Sequence, residues 1–107
     1  MVKPVELLIL TVLAERDRHG YGIRQDIAER SDGAIEIEAG NLYRHLRGLE
    51  DEGLLTPVAA PRGEADERRI YYRLTPAGRR ALAAELNRLR DLVRQAEKSG
   101  VLAPQRA

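Results

Sequence analysis

Leu7, Leu8, Leu10, Val12 and Leu13 bring apolar side chains within one to four residues of each other behind Pro4, and this spacing predicts a buried first helix that ends near Arg16. Asp17 to Gly20 reads as a turn. Tyr21, Ile23, Ile27 and Ala28 then lay an apolar stripe at helical spacing until Ser31, Asp32 and Gly33 break it, which gives a second helix. Ile35 and Ile37 alternate with Glu36 and Glu38, the two-residue period of a very short strand. Leu42, Leu46 and Leu49 follow at i, i+4 and i+7, with Gly53 just past them where a left-handed cap closes a helix, so a third helix is expected from about Ala39 to Glu52.

Strand character returns at Leu54 to Ala60 and at Arg69 to Leu74, and the polar stretch Pro61 to Glu67 between them predicts a hairpin with a long charged tip. Thr75 supplies an N-cap hydroxyl and Pro76 a backbone angle suited to a first helical turn, so a fourth helix starts there and runs to about Lys98. Leu82, Leu86, Leu89, Val93 and Ala96 recur at intervals of four, three, four and three residues. Such a seam is that of a coiled-coil-like contact, and it predicts a dimer interface with a second copy of the chain. The expected organisation is a body over 1–75, a dimerisation helix over 76–99 and a flexible tail over 100–107.

Helix, helix, short strand, helix and charged hairpin, in that order, is the layout of a winged helix-turn-helix: a mainly α fold with a small β-hairpin, whose third helix can enter the major groove of DNA. With Leu42, Leu46 and Leu49 inward, a step of about 100° per residue turns Gly40, Asn41, Arg44, Arg47 and Gly48 outward. Arginine can read guanine through two hydrogen bonds, asparagine can read adenine, and glycine lets the backbone come close to phosphate. Arg44 is the leading candidate for base contact, and Arg62, Arg68 and Arg69 of the hairpin are candidates for phosphate contact, opposed within the same loop by Glu64, Asp66 and Glu67.

The 107 residues suffice for one domain, and 43% hydrophobic with 33% charged residues fits a soluble globular protein. No stretch approaches the roughly 18 apolar residues of a membrane span, and Val5 to Leu13 is interrupted by Glu6 and lacks a cleavage signal, so a cytoplasmic location away from membranes is expected. A net charge of +1 gives no global attraction to DNA, which leaves the placement of charge to decide: acid collects at Glu50, Asp51 and Glu52, and arginine at 44 and 47, at 62, 68 and 69, and at 79 and 80. With no cysteine and only His19 and His45, the chain offers no constellation for catalysis, metal or cofactor binding. We therefore expect no enzymatic activity.

Several motifs together carry a resemblance. His19-Gly20-Tyr21-Gly22 opens the second helix, Gly40-Asn41-Leu42-Tyr43-Arg44 and Leu46 to Leu49 make the third, Glu52-Gly53-Leu54 closes it, and Arg69 to Thr75 with Gly78-Arg79 forms the second hairpin strand and the next helix start. From Leu7 to about Leu92 the chain resembles the PadR family of transcriptional regulators. The resemblance implies a winged-helix domain, a C-terminal helix that builds a homodimer, repression of nearby genes through double-stranded operator DNA of near-palindromic sequence, and in some members a small-molecule effector between subunits. It also implies that Tyr43 lies on the DNA side near the backbone, that Arg44 follows it in the recognition helix, and that Tyr21 serves as a core or phosphate-contacting residue. Glu38 and Asn41 depart from the small hydroxyl residues often found at the start of the third helix, and the chain has no Trp or Phe to stack on a flat aromatic drug. Two other readings stay open: a winged helix that has lost DNA binding and holds another protein, and a drug-responsive regulator with an apolar cavity at its dimer interface.

Overall fold

Seven elements follow one another along the chain: α1 (Pro4–Glu15), β1 (Arg18–His19), α2 (Gly20–Arg30), α3 (Ala39–Asp51), β2 (Leu55–Val58), β3 (Tyr71–Leu74) and α4 (Pro76–Lys98). They are seen in a computed structural model that describes residues 2–105. α1 opens on Pro4 and buries Ile9, Leu10, Val12 and Leu13. Ile23 and Ile27 of α2, Leu42, Leu46 and Leu49 of α3, Leu55 of β2 and Leu74 of β3 close around them in one core. Each such side chain, moved from water to the interior, stabilises the fold by about 1.5–3 kcal/mol before the cost of chain ordering.

The sheet is antiparallel with β3 in the centre, β2 on one side and β1 on the other. Leu55 faces Leu74 and Val58 faces Tyr71 across the hairpin, while Arg18 and His19 pair with Tyr72 and Tyr71. Along β3 the side chains alternate, with Tyr72 and Leu74 buried and Arg73 exposed, as one half-buried face requires. Pro57, which has no N–H to donate, sits on the edge strand β2, where such a residue is tolerated.

Two segments differ from what their sequence leads one to expect. The turn read at Asp17 to Gly20 contains β1, a two-residue strand too short and too polar to leave a periodic signal. The strand read at Ile35 to Glu38 does not form, because this segment finds its hydrogen bonds locally. The Ile35 N–H donates to Ser31 Oγ at 3.0 Å, and the Ile37 carbonyl accepts from Arg24 Nε at 2.7 Å. Ile37 is buried as a single plug while Ile35 is exposed, so their alternation marks one anchored side chain rather than a sheet face.

Thr75 caps α4 by accepting from the Gly78 N–H at 2.9 Å, and its hydroxyl donates to the Gly53 carbonyl, binding the end of α3 to the start of α4. The first two turns of α4 lie against α1 and β3, with Gly78 and Leu82 buried. The later turns run on with mostly exposed side chains, and the molecule measures 51 × 29 × 27 Å. In the segment expected to be a tail, Gly100 takes a left-handed φ of 83° and the N–H groups of Val101 and Leu102 both reach the Ala96 carbonyl, closing the helix end. Residues 106 and 107 of that segment lie outside the described residues. No helix is long and apolar enough to cross a membrane among the described residues.

Candidate nucleic-acid interface

The face of α3 opposite its buried leucines exposes Gly40, Asn41, Arg44 and Arg47, as the spacing requires, whereas Gly48 is half-buried; Tyr43, placed on the DNA side by the family resemblance, is exposed beside them. Arg44 Nη2 donates to Asn41 Oδ1 at 3.3 Å, one helical turn back. Glu50, Asp51 and Glu52 gather at the other end of the helix. A polyanion is therefore attracted to the middle of the helix, at Arg44 and Arg47, and repelled from its last turn. Two contacts fix how the helix stands: Arg24 holds the Ile37 carbonyl just ahead of it, and His45 Nδ1 meets Glu6 Oε2 of α1 at 2.8 Å with both side chains largely buried.

The N-terminus of α2 stands next to this face. His19 caps it, its Nδ1 accepting from the Gly22 N–H at 3.0 Å, and its Nε2 lies 3.0 Å from Arg69 Nη1. A neutral imidazole has one acceptor nitrogen. The Gly22 and Arg69 contacts to a neutral His19 therefore exclude one another as hydrogen bonds. Burial, and then the neighbouring Arg69 charge, push the His19 pKa below its ordinary value. Tyr71 meets the imidazole edge-on at 5.2 Å and Tyr21 lies parallel to it at 6.4 Å.

Because the folded protein holds fewer protons on His19 than the unfolded chain, the stability linked to the neutral, partly buried imidazole beside Arg69 is fully present above the unfolded pKa near 6.5 and is lost as pH falls through the lower folded value. The midpoint of thermal unfolding is expected to drop between pH 7.5 and 5.5. In His19→Asn, whose amide oxygen caps a helix without titrating, His19's share of that drop disappears. An unchanged pH profile in the variant would show that the His19 pKa is not lowered in the folded protein.

Gly20 lets α2 and α3 approach: a Cβ there would stand 3.1 Å from the Tyr43 hydroxyl. Between α2, α3 and the shoulder of the hairpin lies a cleft of about 220 Å³ lined by His19, Tyr21, Tyr43, Arg69 and Ile70 among others. Tyr21, Tyr43 and Ile70 are all more than half exposed there, which excludes a core role for Tyr21. Phenol hydroxyls and a guanidinium suit a phosphate, and the apolar side chains suit a deoxyribose. Ile70 was not singled out from the sequence, where an apolar residue inside a strand pattern signals core.

The wing arginines Arg62, Arg68 and Arg69 are all exposed. Two of the three wing acids are occupied. Glu64 accepts from the Tyr71 hydroxyl, which is the main reason its carboxyl lies below its ordinary pKa, and Asp66 pairs with Arg68 at 3.3 Å. Arg62 and Arg69 have no carboxylate partner among the described residues.

Glu38 precedes α3 without any side-chain cap. Its carboxylate lies beside the first turn, 3.8 Å from where a Gly40 Cβ would stand. Replacing it with serine removes an anion from the face and supplies a capping oxygen. Glu38→Ser is expected to tighten DNA binding several-fold at low salt, about 1 kcal/mol, and to raise the thermal midpoint slightly, both readable by anisotropy titration and circular dichroism. Weaker binding would mean that this carboxylate contacts a base.

Of the seam residues, Leu86 and Val93 are exposed and Leu89 and Ala96 half-buried. Leu82 departs from its expected role. It is 6% exposed within the core of its own chain, which leaves little of it for a partner. Leu92, off the heptad positions, is exposed at 54%.

Comparison with known proteins agrees with this architecture. Residues 9–84 match the "Transcriptional regulator PadR-like family". The chain is 35% identical over 91 residues to the transcriptional regulator Rv3488 of Mycobacterium tuberculosis, covering 85% of this chain and 80% of that protein. A transcriptional regulator from Clostridium thermocellum, Cth-833, superposes with a TM-score of 0.74 at 28% identity, over 92% of this chain and 90% of that one. Bacillus subtilis PadR, crystallised in complex with operator DNA, superposes with a TM-score of 0.67 at 26% identity, over 78% of this chain and 47% of that one.

Proposed function

As the chain belongs to the PadR-like family of transcriptional regulators, we propose that it is a sequence-specific repressor that binds a near-palindromic operator as a homodimer. Two copies joined through α4 set two α3 helices into successive major grooves, and each wing lies along the adjacent phosphates. Asn41, Arg44 and Arg47 face the bases. Tyr21, Tyr43, Arg62, Arg68 and Arg69 face the backbone, and Gly40 lets the first turn of α3 come close. Repression follows from occupying DNA that polymerase needs, in the cytoplasm where that DNA lies.

The observation that carries this reading is the split of α3 into a fully buried leucine face and an exposed face with Asn41, Arg44 and Arg47, in a fold similar to that of a protein crystallised on its operator. The test is an anisotropy titration of the purified protein against DNA from upstream of its own gene and against a scrambled duplex, at two salt concentrations. Preferential binding of the upstream duplex that weakens steeply with salt is expected, because each phosphate contact releases counterions. Failure to bind either duplex at low salt would overturn the reading in favour of a protein-binding winged helix.

A further inference from the structure

Both ring nitrogens of His19 stand at hydrogen-bond distance from a donor, Nδ1 at 3.0 Å from the Gly22 N–H and Nε2 at 3.0 Å from Arg69 Nη1. A neutral ring satisfies only one of them, and the two competitors differ in what they lose. Gly22 is buried in the first turn of α2, and its N–H has no other acceptor among the described residues, so leaving it bare costs about 1–3 kcal/mol. Arg69 is exposed and turns its donors to water without that loss. The cap therefore takes the imidazole lone pair and the proton sits on Nε2. Burial, and then the Arg69 charge, lower the His19 pKa and keep the ring in this neutral form near neutral pH.

Two N–H donors, on His19 Nε2 and Arg69 Nη1, thus stand 3.0 Å apart in the wall of the cleft between α2, α3 and the hairpin shoulder. No protein acceptor joins them. The Tyr21 and Tyr43 hydroxyls in the same cleft accept from neither, and the Glu64 carboxylate, which acts on His19 from the wing, accepts instead from the Tyr71 hydroxyl and the Asp66 N–H. A single oxygen about 2.8 Å from each nitrogen, the length of a charge-assisted hydrogen bond, closes a triangle with them. Arg69 has no carboxylate partner among the described residues, so an anionic oxygen is favoured over a neutral one. The cleft borders the exposed face of α3 at Tyr43, next to Arg44, where a helix lying in the major groove meets the phosphates of the groove wall.

We infer that His19 is a phosphate-binding residue, whose Nε2–H holds one oxygen of a DNA phosphate together with the Arg69 guanidinium. The same ring caps α2 through Nδ1, so the cap fixes the tautomer and the direction of the donor that meets the DNA. His19 brings no charge to this contact; Arg69 supplies it. The inference rests on the DNA-binding reading above and deepens it by assigning a two-donor site for a single phosphate in each half-site.

Anisotropy titrations of the full chain, His19→Asn, Arg69→Ala and the double variant at pH 7.5 test it, against the upstream duplex, a scrambled duplex, and upstream duplexes in which one phosphate at a time is replaced by a neutral methylphosphonate. In the parent, one such replacement per half-site is expected to weaken binding by about tenfold. His19→Asn keeps the cap through its amide oxygen but is too short to reach the cleft, and it is expected to bind both unmodified duplexes several-fold more weakly and to lose most of the methylphosphonate penalty. Because the two side chains share one oxygen, the double variant loses less than the product of the single losses. A readout on the parent alone stands apart from any effect of substitution on folding: nitrogen-15 shifts of the imidazole are expected to show a protonated Nε2 that moves when the duplex is added and stays in place with the same concentration of inorganic phosphate. A protonated Nδ1, an equal shift with inorganic phosphate, a His19→Asn protein with parental affinity and the full methylphosphonate penalty, or a loss confined to the upstream duplex would each overturn the inference and leave the DNA-binding reading standing. No binding of any duplex by the parent at low salt would overturn both.

Discussion

Gly78→Ala is expected to lower the thermal midpoint by more than about 10 °C, a loss of about 3 kcal/mol or more in a chain of this size. The cause is space rather than backbone freedom. A Cβ at position 78 would stand 1.9 Å from the Leu54 carbonyl oxygen, 2.9 Å from its carbon and 2.7 Å from Leu74 Cδ1. The carbonyl has little room to retreat, since it already accepts from the Thr75 N–H at 3.2 Å and the next residue, Leu55, is paired with Leu74 in the hairpin. Relief requires α4 to lift away from the sheet, which uncovers Leu82 and Leu74. Gly48→Ala is the control: nothing lies within 4 Å of its added methyl, and an alanine inside α3 is expected to leave the midpoint unchanged or raise stability by up to about 1 kcal/mol. Circular dichroism melts of the two variants check both expectations. Equal midpoints for Gly78→Ala and the parent would mean that the α3–α4 junction is looser than this packing implies.

Gly78 also illustrates what the sequence could and could not reveal. The four helices were legible because apolar residues recur at helical spacing over stretches of seven to fifteen residues, and because Thr75-Pro76 and Gly53 have strong positional meaning. The hairpin was legible because its tip is polar and its flanks are β-branched or aromatic. β1 escaped because two residues carry no period, and its pairing with β3 joins residues more than fifty positions apart. The false strand at Ile35–Glu38 arose from the same weakness: a period of two over four residues is equally produced by one buried plug, and the hydrogen bonds to Ser31 and from Arg24 that decide the matter depend on side chains without a periodic signal.

The site was legible as a list of residues and only partly as an arrangement. A rotation of about 100° per residue suffices to turn Arg44 and Arg47 outward. It does not reveal that Asn41 accepts from Arg44, that His19 caps α2 beside Arg69, or that Tyr71 and Arg68 contact two of the wing acids. They leave the wing's formal charges balanced, Arg62, Arg68 and Arg69 against Glu64, Asp66 and Glu67, so that position rather than sum decides. What an approaching phosphate meets is set by which charges are already engaged, and Arg62 and Arg69 are not engaged with any carboxylate among the described residues.

Leu89→Glu is expected to convert the protein to a folded monomer and to weaken operator binding by about a hundredfold or more. The exposed apolar positions of α4, Leu86, Leu92 and Val93, lie beyond the point where the helix leaves its own core, and Leu89 is half-buried between them. A glutamate at the seam places one carboxylate from each copy in the proposed contact, where the two repel and both lose water. The fold of the single chain survives, because Leu89 does not belong to its core cluster. Leu82→Glu provides the contrast. That residue is buried among the core side chains of its own chain, and its substitution is expected to unfold the protein rather than separate two copies. Light scattering at micromolar concentration separates the two cases, with circular dichroism reporting whether the monomer is folded. The DNA measurement then isolates the contribution of pairing. The parent should bind a duplex with two half-sites far more tightly than one with a single half-site, since the second contact forms at high effective concentration, whereas Leu89→Glu should lose most of that preference. A Leu89→Glu protein that remains dimeric would place the interface elsewhere, and a monomer that still prefers the two-site duplex would mean that DNA itself brings the copies together.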